Sequence, residues 1–235
     1  MTSPRATTGI LLVVIPVVFT LGFTGLQMTF DYPEILRRPA SEVLIKFAAA
    51  GADLHLYWYA MMAAALTMIP ATIGAALLWW RQDHFLAALS AGFGILAGIV
   101  QGLGLLRWVM LVPTLAAAYT APGATEIQQA NATAIFDAAN AYLGMGVGEH
   151  LGYLFTSLWT LVVALLLMSS RRYVAIAGLV VATGVAVGML EPFGVPLAGQ
   201  INAISFTLWA LWTLVVGVLV LRAPNATPAT APAVA

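Results

Sequence analysis

The sequence contains no cysteine and very few charged residues. Its 235 residues include 9 Lys or Arg and 9 Asp or Glu, so the charged fraction is 8% and the formal net charge is zero. Soluble domains are about one quarter charged. The absence of cysteine excludes disulfides, thiolate metal sites and cysteine nucleophiles. The absence of a basic run removes the electrostatic basis of nucleic-acid binding, so we expect no nucleic-acid partner.

Apolar residues take the place of the missing charges. Hydrophobic residues make up 62% of the chain and the mean hydropathy is +0.96. A helix needs roughly 20 apolar residues to cross the hydrocarbon core of a bilayer. We therefore predict an all-α fold, a polytopic transmembrane helix bundle of six spans. The spans lie at about residues 9–28, 56–80, 85–112, 148–169, 173–191 and 203–222.

The first apolar run follows Arg5 and has no small-x-small cleavage site after it, so we interpret it as an uncleaved span rather than a signal peptide. Residues 1–222 are predicted to form a single membrane domain. The low-complexity sequence of residues 223–235 predicts a disordered tail.

Basic residues are biased to one side of the predicted membrane, which by the positive-inside rule is the cytoplasmic side. Six spans put both termini on that side, and the other side is acidic. Lysine occurs once against eight arginines, a composition typical of GC-rich bacterial genomes. We therefore predict a multi-pass protein of the bacterial cytoplasmic membrane, surrounded by membrane lipids and with both termini in the cytoplasm. The cytoplasmic basic residues are Arg5, Arg81, Arg171, Arg172 and Arg222.

Two long connections lie on the outer side, and both have helical patterns. In residues 30–51, Val43, Leu44 and Phe47 share one face of a short helix that we expect to lie in the membrane interface. Residues 123–144 predict a second interfacial helix, which three glycines break before the fourth span. Its predicted apolar face consists of Ile127, Ala134, Ile135, Ala138 and Tyr142, and the breaking glycines are Gly144, Gly146 and Gly148.

Small residues recur at four-residue spacing in several spans, which allows helices to approach closely in lipid. We interpret them as helix–helix contacts rather than as the lining of a substrate path. The third span carries Ser90, Gly94, Gly98 and Gly102, the fourth Gly148 and Gly152, and the fifth Gly184 and Gly188.

The fourth span begins with adjacent ionisable residues, Glu149 and His150. Glu149, Tyr153, Thr156 and Thr160 follow one helical face and form a polar stripe. In lipid such a stripe faces protein or a water-filled cavity, and intramembrane ionisable residues commonly mark functional sites.

Other polar residues lie at the same predicted depth. Arg107 lies near the outer end of the third span and Glu191 at that of the fifth, so we predict that Arg107 pairs with Glu149 or Glu191. His55 is predicted to join them from the top of the second span. Gln101, with Gln200 and Asn202, can add amide groups.

This cluster supports three functional hypotheses. The first is a module that binds or moves a lipid or small amphipathic ligand through an outward-facing pocket. The second is an intramembrane enzyme in which Glu149 and His150 act, with Glu149 as base and Tyr153 as acid. The third is a structural or accessory protein in which Arg107 and the carboxylates form a clamp. No HxxxH or HExxH spacing occurs, so we predict no metal and no cofactor.

The second half of the chain, from "DAANAYLG" to "LEPFG", resembles a bacterial membrane family known as domain of unknown function 4386. The resemblance implies about six or seven spans and supplies no catalytic residues. It consists of an aromatic–glycine step, a Leu–Trp step within a span and a basic turn, which here are Tyr142, Gly144, Leu158, Trp159, Arg171 and Arg172.

Overall fold

The computed structural model describes residues 3–223, and no strand occurs among them. Of the predicted tail, only Ala223 is described. The α-helices are α1 (Pro4–Phe30), α2 (Ala40–Ala49), α3 (Ala52–Trp79), α4 (His84–Met110), α5 (Val112–Thr120), α6 (Glu126–Ala139), α7 (Gly152–Leu167), α8 (Arg172–Val187) and α9 (Ala198–Arg222).

Six helical stretches in the described chain are long and apolar enough to cross a membrane, which confirms the predicted bundle. The cytoplasmic location of the termini stays a prediction. The spans are α1, α3, α4 with α5, α6 through α7, α8 with the 3-10 turn Gly188–Phe193, and α9.

The spans pack as a ring in chain order. Each contacts the next, α4 contacts α7, and α9 closes the ring against α1. Side chains from opposite sides of the ring meet in one apolar cluster that includes Leu12, Met68, Trp159 and Trp212. The centre of the bundle is therefore a packed core.

Glycines allow the spans to approach closely, as predicted. A Cβ atom on Gly98 would lie 2.9 Å from a backbone oxygen of α3, and one on Gly102 would lie 2.6 Å from an α3 side chain. Gly184 and Gly188 approach α9 in the same way. These glycines are helix–helix contacts.

Two spans extend well beyond a bilayer. The helical stretch His84–Thr120 has 37 residues and Glu126–Leu167 has 42. At 1.5 Å per residue they are roughly 55 and 60 Å long, against about 30 Å of hydrocarbon. They form a hairpin whose tip is at Pro122 and Gly123. We call the end of the bundle that carries residues 31–51 and this tip the hairpin end.

Helix α6 packs on the protein through one face and leaves its predicted apolar face exposed. The helix begins after Thr125, which forms a capping box with Gln128. Ala132 and Phe136 are its buried residues, and Phe136 packs edge-on against Trp108. The predicted apolar face, which an interfacial helix turns toward lipid, is exposed at Ile127, Ala134, Ile135, Ala138 and Tyr142.

The glycines before the fourth span do not break the helix, so that prediction is wrong. Residues Asn140–Leu151 form a π-helix that joins α6 to α7, and we call them the π segment. One of these glycines, Gly148, allows the π segment to approach α4 closely. A Cβ on Gly104 of α4 would lie 2.5 Å from the Cα of Gly148. π-Helical turns are rare and occur frequently at functional sites.

Helix α2 covers the hairpin end of the bundle. Its predicted apolar face, Val43, Leu44 and Phe47, is buried, but it packs into the protein's own core. That core includes Trp58 and Trp108, which stack with ring centroids 4.5 Å apart and 3° between their planes. Residues 31–51, which we call the first connection, are therefore firmly attached to α3 and α4.

Candidate functional site

Two carboxylates from different spans meet one guanidinium at the hairpin end. Nη2 of Arg37 lies 2.6 Å from Oε1 of Glu191 and 3.8 Å from Oε2 of Glu149. The side chains of Arg37, Glu149 and Glu191 are 48%, 23% and 31% exposed. We call these three residues the carboxylate cluster. It links the first connection to the fourth and fifth spans.

The local fold explains why Arg37 reaches the cluster. Arg37 ends the short 3-10 turn Glu34–Arg37. Ile35 in this turn is fully buried in the aromatic core with Trp58, which fixes the turn against the bundle. The buried Ile35 therefore holds the backbone of Arg37 in place at the hairpin end, and the Arg37 side chain reaches the carboxylates.

A small cavity lies beneath the cluster. Its volume is about 10 Å³, roughly the space that one water molecule requires. In this state the cluster is closed, since no lipid headgroup fits such a volume. The cavity is lined by Met145, Glu149, His150, Tyr153, Gly188, Glu191 and Pro192.

The predicted polar stripe continues inward from the cavity and faces protein. Oγ1 of Thr156 accepts a hydrogen bond of 2.7 Å from Nε2 of Gln101. Oγ1 of Thr160 accepts one of 2.9 Å from Nε1 of Trp209. Both threonines are buried, so the stripe joins α7 to α4 and α9. Gln101 is thus a partner within the stripe, below the cavity.

The predicted ion pair of Arg107 with Glu149 or Glu191 is not formed, and Arg37 takes its place. The Arg107 guanidinium donates to the carbonyl oxygen of Gly104 and, at 3.2 Å, to Oδ1 of Asn140. The reason is register. Gly104 faces Gly148, so Arg107 lies further toward the hairpin end than the carboxylates do.

The remaining predicted residues lie elsewhere. His55 is exposed, and its ring packs edge-on against Phe47 with centroids 5.1 Å apart. Gln200 is exposed at the start of α9. Asn202 is buried and donates a hydrogen bond of 2.8 Å to the carbonyl oxygen of Val185. The structure therefore brings together Glu149, His150, Tyr153 and Glu191, but not His55.

Burial and the ion pairs at the hairpin end shift the pKa values of three side chains in the first connection. Partial burial lowers the pKa of Arg37, but the hydrogen bond to Glu191 and the charge of Glu149 outweigh burial, so its pKa lies above the ordinary value. Burial, reinforced by the charge of Glu149, raises the pKa of Tyr32 to about 12. A hydrogen bond from Lys46 lowers the pKa of Asp31. Arg37 and Tyr32 thus stay protonated at neutral pH, and Asp31 stays ionised.

Sequence analysis missed Arg37 as a site residue. It lies in "EILRRP" beside Arg38, and nothing in the sequence distinguishes one arginine from the other. Arg38 pairs instead with Asp31, at 3.5 Å. Only the fixed path of the 3-10 turn distinguishes the two arginines.

A second, open groove lies at the hairpin end between α2, α5 and α6. Its volume is about 500 Å³, within the usual range of ligand pockets. No sequence pattern predicted it, because its residues come from three separate helices. They are Arg38, Pro39, Ala40, Ser41, Tyr119, Gln129, Ala130, Thr133 and Asp137.

The chemistry of the carboxylate cluster is electrostatic. Across residues 3–223, no group of three or more His, Asp or Glu side chains is placed to hold a metal ion. In the same range, no hydrogen bond joins Glu149 or His150 to a hydroxyl group that could act as a nucleophile. The cluster consists of two carboxylates, Glu149 and Glu191, in contact with the guanidinium of Arg37.

Comparison with curated proteins and with solved structures finds no match for this chain. A family profile does match, over residues 7–222. This match includes the six helical stretches, apart from the first residues of α1, both connections at the hairpin end and the carboxylate cluster. The protein therefore belongs to the membrane family described as a domain of unknown function, DUF4386.

Proposed function

We propose that this membrane protein binds a lipid or a small amphipathic ligand at the carboxylate cluster. The observation that carries the proposal is that Glu149 and Glu191, from two different spans, share the single guanidinium of Arg37. Ionisable side chains at membrane depth are costly and commonly mark binding or transport paths. The position of Glu149 in a π-helix supports the same interpretation.

The charge balance favours a ligand with a cationic headgroup. Two carboxylates and one guanidinium leave the cluster with one excess negative charge. Arg37 occupies the position that an ammonium group of a ligand would take. Displacing Arg37 would leave both carboxylates available to such a headgroup.

The surroundings favour an amphipathic ligand over a purely polar one. Glu191 lies between exposed apolar side chains, since Leu190 is 43% and Phe193 is 76% exposed. Leu197, at the start of α9, is 64% exposed. A ligand whose headgroup reaches Glu191 can therefore lay its apolar chain on this surface.

The described state is the closed one, because the cavity beside Glu149 and Glu191 has a volume of only about 10 Å³. Opening requires Arg37 to leave the carboxylates. Solvent-exposed ion pairs contribute only about 0.2–1 kcal/mol. A ligand that pairs with the same carboxylates can therefore displace Arg37 at small cost.

A thermal-shift experiment on the protein in mild neutral detergent tests this proposal. Dodecylamine, dodecanol and dodecanoate share one chain length and differ in headgroup charge. We expect only dodecylamine to raise the melting temperature, since ligand at 100 times its Kd adds about 2.7 kcal/mol of stability. Equal shifts for all three amphiphiles, or none, would contradict the proposal.

Variants connect that shift to the site. Glu149→Gln and Glu191→Gln should each reduce the dodecylamine shift, and the double variant should abolish it. Glu42→Gln is the matched control, since Glu42 is an exposed glutamate at the same end of the bundle. Its shift should equal that of the unmodified protein.

A second candidate function is a structural clamp, and the size of the cavity favours it. In this function the cluster, with space for one water beside it, fixes the first connection over the fourth and fifth spans. Under that function Glu191→Gln lowers the melting temperature in detergent, while dodecylamine has no headgroup-specific effect on any variant. The two candidates therefore predict different outcomes in the same experiment.

A further inference from the structure

Arg107 is a buried cation without a carboxylate in contact. Its residue exposure is 7%, and no ion pair connects it to a carboxylate within residues 3–223. Its Nε atom is buried without a hydrogen-bond partner. Its other contacts are two hydrogen bonds and the ring of Trp108, whose centroid lies 5.2 Å from Cζ. A buried charge is costly unless it is paired, so this state leaves Arg107 incompletely compensated.

Glu149 is the less firmly held of the two carboxylates. Arg37 is 2.6 Å from Glu191 but 3.8 Å from Glu149, a distance beyond that of a hydrogen bond. No side-chain hydrogen bond to Glu149 occurs in the described part of the chain. Breaking the contact between Glu149 and Arg37 therefore costs little free energy.

The π segment connects these two incompletely satisfied charges. Glu149 lies near its C-terminal end, and Asn140 at its N-terminal end accepts the hydrogen bond of Arg107. Between them, a Cβ on Gly144 would lie 2.6 Å from Nη2 of Arg107. The Arg107 guanidinium thus lies directly against the segment that carries Glu149.

The π segment is also suited to change its register. A π-helix has i→i+5 hydrogen bonds, and an α-helix forms from the same backbone groups by i→i+4 bonds. Gly146 is not tightly packed, since the nearest atom to a Cβ there would be 3.6 Å away. Glycine also places the weakest restriction on backbone dihedral angles. A change of register can therefore begin at Gly146, and the closely packed Gly144 and Gly148 move with the segment.

We propose that the π segment is a two-state element that carries Glu149 between Arg37 and Arg107. In the described state Glu149 faces Arg37. In the second state Glu149 pairs with Arg107, and Arg37 keeps Glu191 alone. The exchange gives the buried charge of Arg107 a carboxylate partner. It also removes one of the two carboxylate contacts of Arg37. It goes beyond ligand binding, because it takes place in the ligand-free protein.

Hydrogen–deuterium exchange of the ligand-free protein in detergent, followed by mass spectrometry, tests the proposal. Arg37→Gln should shift the population toward the second state and change the exchange rate of amides at Asn140–Gly144, at the far end of the segment from Glu149. We expect a change of about threefold or more in rate, since exchange reports the free energy of local opening. Arg38→Gln is the matched control, because Arg38 pairs with Asp31 instead. It should leave these amides unchanged.

The decisive comparison is between backgrounds. When Arg107→Gln or Glu149→Gln is already present, Arg37→Gln should no longer change exchange at Asn140–Gly144, because one partner of the second state is missing. The Glu149→Gln background decides the question if Arg107→Gln fails to fold. An Arg37→Gln effect confined to residues 31–39, or one that is the same in every background, would overturn the proposal. Neither result depends on dodecylamine binding, so failure here leaves the proposed function to its own test.

Discussion

Arg37 and Glu191 are separated by 154 positions in the chain, yet their side chains lie 2.6 Å apart. This contact connects the first connection of the protein to the end of its fifth span. The turn that carries Arg37 is fixed by the buried side chain of Ile35. The contact therefore adds a polar link to the apolar packing that already holds the first connection.

Neutralising Glu191 should loosen residues 31–39 without unfolding the bundle. We expect Glu191→Gln to lower the free energy of unfolding by about 0.2–1 kcal/mol, since the pair is partly exposed. Limited proteolysis should show faster cleavage within residues 31–39. Glu42→Gln should leave cleavage unchanged, and equal cleavage in both variants would show that the Arg37 contact does not hold the connection.

The close approach of Gly104 and Gly148 should not tolerate a side chain. A Cβ at Gly104 would lie 2.5 Å from backbone Cα of Gly148, so Gly104→Ala must separate α4 from the π segment. We expect a loss of about 1–3 kcal/mol, the usual cost of overpacking. Gly92→Ala is the control, because nothing lies within 4 Å of a Cβ there. Fluorescence-detected gel filtration after heating measures both melting temperatures.

Asp31 should make the stability of the first connection depend on pH. The hydrogen bond from Lys46 lowers the pKa of Asp31 in the folded protein. Its stabilising contribution is therefore complete above the ordinary aspartate pKa of about 3.9 and is lost as the pH falls through the lowered pKa. Melting temperatures measured from pH 7 down to pH 3 should fall more for the unmodified protein than for Asp31→Asn. Parallel curves would rule out this contribution.

The hydrogen bond between Gln101 and Thr156 should be measurable as a coupling. Thr156→Val leaves the partly buried Gln101 amide without its partner and should cost about 1 kcal/mol. Gln101→Leu together with Thr156→Val should cost less than the sum of the single changes, by about 0.6 kcal/mol on the average found for such pairs in membrane proteins. A double-mutant cycle of unfolding free energies measures this difference, and strict additivity would contradict the pairing.

Sequence patterns predicted those features that depend on local chemistry. The apolar runs gave six spans, because each must cross the hydrocarbon core by itself. The glycines of α4, such as Gly98, were predicted as contacts since small residues are the main means of close packing in lipid. The stripe of Thr156 and Thr160 was predicted to face protein or a water-filled cavity, because lipid cannot satisfy a hydroxyl group, and it faces protein.

Features that depend on the packing of distant segments were not predictable in this way. Sequence analysis paired Arg107 with the carboxylates, but the close approach of Gly104 and Gly148 places Arg107 nearer the hairpin end, and Arg37 makes the contact instead. The buried face of α6 follows Phe136 because the aromatic core around Trp108 is assembled from several helices. The π segment packs against α4 where Gly104 and Gly148 approach each other. No pattern in a single sequence predicts which two glycines meet in this way.

The long hairpin also determines where foreign sequence can be added to this protein. Its tip at Pro122 and Gly123 is exposed, and a Cβ on Gly123 would meet nothing within 4 Å. Exposed loop tips of this kind tolerate insertions best. A rigid soluble domain fused at the tip would stand clear of a detergent micelle on two continuous helices. For a protein of only 24.7 kDa, such a fusion gives single-particle electron microscopy the mass and the visible orientation marker that the bundle alone does not provide.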